Sequence, residues 1–169
     1  VTRFGIQDYD PRWATCRRAL TALHGARLSA LAGLVLRHVW VVWDLDDDTW
    51  FTDAPVVLDF GATRLAIDHQ KFADVALTWD SVDPARPIAD DAFQLRWRPE
   101  ALPGLAGLPG RTLHHVELLE WTGARGDAAT GSVALGFDLT PAWLTVYNAM
   151  DENGFEHTPP DARYRRHRL

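Results

Sequence analysis

The stretch Leu28-Ser-Ala-Leu31-Ala-Gly33-Leu-Val-Leu36-Arg-His38-Val39 recurs 77 residues later as Leu105-Ala-Gly-Leu108-Pro-Gly110-Arg-Thr-Leu113-His-His115-Val116. At the same offset Val56-x-Leu58-x-Phe60 matches Val133-x-Leu135-x-Phe137, and Thr63 matches Thr140. Two extra residues then bring Leu65-x-Ile67 onto Leu144-x-Val146. Self-similarity at a fixed spacing marks a repeated structural unit, and matched apolar positions two apart mark strands. The chain is read as two related β-meanders, repeats at about 28–80 and 105–158, joined by a linker at 81–100. Neither copy has enough surface to bury its own sheet face, so residues 1–169 are read as a single domain.

Working outward, Asp10-Pro11 offers a helix cap, and Trp13, Cys16, Leu20, Leu23, Ala26 and Leu31 recur at three- and four-residue steps. That spacing predicts a helix over 11–31 with Cys16 buried on its apolar face. From Leu34 the period becomes two. Val39, Val41 and Trp43 share one strand face and His38, Trp40 and Val42 the other, as in a strand covered on both sides. Further strands are expected at Val75-Leu77-Trp79 and Phe93-Leu95-Trp97, and in the second copy near 112–121, 132–138 and 143–148. Short connections favour antiparallel pairing. The predicted fold class is α+β: an N-terminal helix packed on two repeated antiparallel β-meanders, forming a sandwich or open barrel with a pseudo-twofold.

The 169 residues are 47% hydrophobic, enough for a real core, yet no apolar run is long enough to cross a membrane as a helix. Cys16 is the only cysteine, so no intrachain disulfide forms; with no leader-like start, a cytoplasmic protein is expected. The net charge is −6 although Arg163, Arg165, Arg166 and Arg168 crowd the last residues, so the body is more acidic than the total. An acidic body repels nucleic acid and attracts a basic partner. No membrane partner is expected either.

Several chemistries lack their motifs. There is no His-Glu-x-x-His and no Cys-x-x-Cys, so no metal is expected. Asp44-x-Asp46-x-Asp48 begins like a calcium loop, but Thr49 stands where such a loop needs Gly and Pro55 where it needs Glu. No phosphate-binding Gly-rich loop and no Gly-x-Ser-x-Gly elbow occurs, and no cofactor is expected. Most of the eight Trp fall on core-facing strand positions. Trp40 and Trp121 differ, because their strand faces also carry His38 in the first copy and His115 and Glu117 in the second.

The Leu-x-Gly-x-x-Leu turn leading into Val-x-Leu-x-Phe and Leu-x-Ile strands resembles small uncharacterised bacterial β-rich domains, some of them immunity-type proteins encoded beside toxins. The resemblance covers each repeat but not 81–100, and implies a binding module; it carries over no catalytic residue. The leading expectation is a non-enzymatic, cytoplasmic, immunity-like or regulatory protein that engages a basic protein through an acidic face. Its contact residues would be Asp44, Asp46, Asp47, Asp48 and Asp53 with Trp50 and Phe51 among them. The alternative is a small enzyme or ligand-binding protein with a pocket between the repeats lined by His38, Trp40, His115, Glu117 and Trp121. His69, His115 and Glu117 would then be the catalytic candidates. A third reading is a homo-oligomer whose exposed sheet edges pair.

Overall fold

The two glycine turns meet each other at the surface of the molecule, where Gly33, Val35, Gly110 and Thr112 are all exposed. In the computed structural model, which describes residues 3–169, Val35 bridges Thr112 in antiparallel fashion. Gly33 N–H donates to Leu113 O at 2.7 Å and Gly110 N–H to Leu36 O at 2.8 Å. Leu36 N–H donates to Arg111 O at 2.9 Å and Leu113 N–H to Leu34 O at 2.8 Å. Moving the first bond of each pair by 77 residues produces the second. Gly33 and Gly110 hold φ of +87° and +85°, a left-handed backbone that a side chain would strain.

In chain order the elements are β1 (Trp13–Ala14), α1 (Arg17–Ser29), β2 (His38–Asp44), β3 (Thr49–Trp50), β4 (Val56–Asp59), β5 (Arg64–Gln70) and β6 (Asp74–Trp79). After them come β7 (Leu95–Pro99), β8 (His115–Trp121), β9 (Val133–Leu139), β10 (Ala142–Asn148), β11 (Asn153–Glu156) and β12 (Tyr164–Arg168). The protein is thus α+β, with one α-helix and two antiparallel sheets among the described residues. In the first sheet β6, β5, β4 and β2 lie side by side and β7 returns to the far edge of β2; β1 and β3 extend its margins. In the second the order is β11, β10, β9, β8, β12, with β12 returning beside β8.

Strand parity sends alternate residues to opposite faces. The inner faces share one core, with Val39, Val41, Leu58 and Ile67 from the first sheet and Val116, Leu118, Leu135 and Val146 from the second. Leu20 and Leu28 of α1 and the adjacent Leu31 complete it. The outer faces differ. Over the first sheet the chain lays its own residues: Ile6, Tyr9 and Val82 pack on Val42, Val57, Ala66 and Trp97. Over the second sheet the apolar cluster of Leu119, Ala134, Trp143, Tyr147 and Tyr164 comes from the sheet alone. Part of the reason is the route between strands. The β6–β7 connection, 80–94, is long enough to cross the face, whereas the β11–β12 connection, 157–163, is less than half that length.

The helix departs from expectation at its start. Trp13 and Ala14 are extended and pair with Ala76 and Val75 of β6, so they are a strand at a sheet edge. Cys16 is the N-cap, with φ of −153°, and its side chain is exposed where a buried position was expected. The buried stripe runs through Leu20, Leu28 and Leu31, leaving Leu23 63% exposed. β7 lies inside the segment read as a linker and is an integral strand of the first sheet, with Leu95 and Trp97 buried. Among the described residues no helix is long and apolar enough to cross a membrane.

Candidate functional site

The outer face of the second sheet, whose apolar cluster comes from the sheet alone, is built by register. β8 turns His115, Glu117, Leu119 and Trp121 outward, because Val116 and Leu118 take the core. Their neighbours on that face are Asp138, Gly136 and Ala134 of β9, and Tyr164, Arg166 and Arg168 of β12. Beyond β9 stand Trp143, Thr145 and Tyr147 of β10. Gly136 leaves the space that Trp143 fills: a Cβ there would lie 2.5 Å from the indole Cζ2. The Trp143 indole N–H donates to Thr145 Oγ1 at 2.7 Å.

One end of the face is a chain of paired charges. The Arg166 guanidinium grips Glu117 at 2.7 and 2.9 Å, His115 Nε2 lies 2.8 Å from Glu117 Oε1, and His115 Nδ1 lies 3.3 Å from Asp138 Oδ2. Burial by itself raises the Glu117 carboxyl, but hydrogen bonds from Arg166 and His115 outweigh it and hold the group below the usual carboxylate range. Asp138 is lowered in the same way, burial being outweighed by bonds from Thr140 and the nearby His115. These groups spend their capacity on one another.

The other end is an aromatic shelf. Trp121 and Tyr164 meet edge to face at 5.0 Å, and the Trp121 indole N–H donates to Asp127 Oδ2 at 2.7 Å. Tyr147 packs over Gly154, where a Cβ would fall 2.5 Å from its Cζ. Two concavities of about 320 Å³ and about 270 Å³ share Trp121, Tyr147 and Tyr164. The first is walled by Glu156, Pro159, Pro160 and Asp161, the second by Ser132, Ala134 and Met150. Burial, then the charges of Tyr147 and Glu156, push the Tyr164 hydroxyl up to about 12. Tyr147 is raised by burial and by Glu156 and Glu152.

The residues expected to form a pocket between the repeats are not brought together. His38 and Trp40 project from the outer face of the first sheet, where His38 Nδ1 lies 3.3 Å from Glu100 and its ring 5.4 Å from that of Trp40. His115, Glu117 and Trp121 project from the outer face of the second. The cause is parity: Val39 and Val41, like Val116 and Leu118, face inward and send their neighbours apart. His69 is elsewhere again, buried between the sheets with Nδ1 3.0 Å from Asn153 Oδ1 and Nε2 3.3 Å from Val133 O. Burial pushes it down to about 4.

The acidic segment is a hairpin turn between β2 and β3. Asp44 is buried, and its Oδ1 accepts the N–H groups of Asp46 and Asp47 at 2.9 and 3.3 Å. Asp46, Asp47 and Asp48 are exposed, with Asp48 accepting the Trp43 indole N–H at 2.9 Å. The aromatics point into the fold. Trp50 stacks on Phe155 at 4.8 Å, and Phe51 packs on Phe4 at 5.2 Å and Phe93 at 5.0 Å. Asp53 is exposed; partial burial and the Glu152 charge raise its carboxyl. Among the described residues no group of three or more His, Cys, Asp or Glu side chains is arranged to hold a metal ion.

Comparison with family models, curated proteins and solved structures finds no match to this chain. The site therefore rests on its own geometry. Sequence reasoning missed Tyr147, Tyr164 and Arg166, although Tyr164-x-Arg166-x-Arg168 alternates at the strand period within what read as a basic tail.

Proposed function

We propose that this protein is a non-enzymatic protein-binding module, immunity-like or regulatory, whose contact surface is the open outer face of the second sheet. One observation carries the reading: two sheets share a strand order, yet segments from outside the sheet join the apolar cluster on the outer face of only the first. The second face presents the part-exposed aromatic shelf and its two concavities, and aromatic anchors in pockets supply most of the energy of tight interfaces. We read the shared order and the reciprocal bonds at Gly33 and Gly110 as an internal duplication, one copy closed and one open. A net charge of −6 draws a basic partner, and the exposed Asp46, Asp47 and Asp48 add to that field rather than anchor the contact. A single cysteine suits work in a reducing cytoplasm.

The test uses proteins encoded by neighbouring genes as candidate partners, with affinity measured by calorimetry. The double variant Tyr147→Ala, Tyr164→Ala should weaken binding roughly 30-fold or more, the size of a hot spot. Lysines at Asp46, Asp47 and Asp48 should mainly slow association at low salt. A partner that binds the double aromatic variant with unchanged affinity would place the interface elsewhere.

A further inference from the structure

We propose that the cleft between Tyr147, Tyr164 and Glu156 receives an arginine side chain of the partner. This rests on the binding face argued above and adds the chemistry of its anchor. Glu156 closes β11 and stands opposite Thr145 in the β10 register, so its side chain shares the open face with the tyrosines. Among the described residues no hydrogen-bond donor and no cation within 4.0 Å engages its carboxylate, although most acidic groups on this face are paired.

The same concavity already shows how a guanidinium is seated. Arg163 lies over the Trp121 ring at 5.2 Å and grips Asp161 through Nε at 3.1 Å and Nη2 at 2.6 Å. An aromatic face plus a carboxylate is the pairing that holds a cation while letting its flat surface stack. Arg163 spends its hydrogen bonds on Asp161 and its flat face on Trp121, and reaches Glu156 only as a charge at longer range. Tyr147, Tyr164 and Glu156 repeat the same ingredients without an occupant from the chain. Pro159 and Pro160 form a rigid wall, and about 320 Å³ accommodates one long side chain with its backbone. The charged residues lining the cleft are Glu156 and Asp161 against Arg163, a balance that favours a cation, and a second copy, itself carrying −6, is disfavoured by repulsion.

The probe is Nα-acetyl-arginine amide, titrated into the intact chain by NMR, with its neutral isostere Nα-acetyl-citrulline amide, the lysine analogue and Nα-acetyl-phenylalanine amide as comparators. Arginine amide should shift the Trp121 indole and the Tyr147 and Tyr164 rings with millimolar affinity, weakening as salt rises. Citrulline amide should bind at least tenfold more weakly, and Glu156→Gln, an exposed change that leaves the fold intact, should remove that preference. Equal shifts from citrulline or lysine amide, or an unchanged preference in Glu156→Gln, would overturn the arginine anchor. Shifts from phenylalanine amide alone would overturn the anchor while leaving the face as a binding surface. No shift from any probe, together with a partner indifferent to the tyrosine variants, would overturn both.

Discussion

Replacing Asp68 with Asn removes a buried charge and keeps the side chain's shape. The consequence for stability should depend on pH in a direction set by the surroundings. Asp68 is fully buried, accepts the Tyr9 hydroxyl at 2.7 Å and Asn153 Nδ2 at 3.2 Å, and has Arg3 Nε 3.7 Å away. Burial outweighs these partners and pushes its carboxyl up from 3.8 to about 6. The adjacent His69 is pushed the other way, from 6.5 to about 4, by its own burial. The two effects have opposite signs. As pH falls through about 6, the folded state takes up a proton at Asp68 that the unfolded chain does not yet bind, which favours folding. Below about 6.5 the unfolded chain binds a proton at His69 that the folded state refuses until about 4, which opposes folding. Each displacement is worth about 2–3 kcal/mol by pH 4, so in the native chain they nearly cancel. In Asp68→Asn only the His69 loss remains. Relative to the native chain, the variant should lose about 2–3 kcal/mol between pH 7 and pH 4. Urea unfolding followed by tryptophan fluorescence at several pH values in that range measures it. A stability difference that stays constant with pH, or that moves the other way, refutes the reasoning.

Asn153→Ala should cost about 3 kcal/mol, because the amide joins β11 to Thr52 O, Ala54 O, Asp68 and His69, and its loss strands buried partners. In a chain of this size the thermal midpoint should fall by roughly 6–12 °C, and a drop below about 3 °C would mean the amide is replaceable. Cys16, exposed at the start of α1, should react stoichiometrically within minutes with a water-soluble thiol reagent in the native protein; protection until unfolding would contradict its placement.

The strands were legible because their signals are local. Val39/Val41, Val56/Leu58 and Leu65/Ile67 recur two residues apart, and each pair lies in the shared core. The start of α1 was not legible. Trp13 and Cys16 fall on a helical period with Leu20, but pairing of Trp13 and Ala14 with β6 decides their conformation, and that partner lies far along the chain. Nor was the direction of an aromatic beside acids. Trp50 and Phe51 read as surface anchors among Asp46, Asp47, Asp48 and Asp53, while Phe155, Phe4 and Phe93 claim them from distant segments. The open face depends on something subtler still, whether a connecting segment happens to cross a sheet. The unequal lengths of 80–94 and 157–163 were visible, but their meaning appears only once β7 and β12 are known to return to equivalent edges.

The division between the two outer faces also separates stability from binding. Asp68, His69 and Asn153 link β5 of the first sheet to β9 and β11 of the second, so changes there act on the stability of the whole molecule. Trp121, Tyr147 and Tyr164 do not belong to the core shared by the sheets, and none of the three is fully buried. Truncating them should remove contacts within one face and leave no sealed cavity in the shared core, a milder insult than cutting Leu58 or Leu118. Gly136 and Gly154 point the same way: each gives up a side chain so that Trp143 and Tyr147 lie against the sheet, which fixes the shape of the face before any partner arrives. A surface fixed in this way loses little freedom on binding, so its few aromatics can act as anchors at low entropic cost.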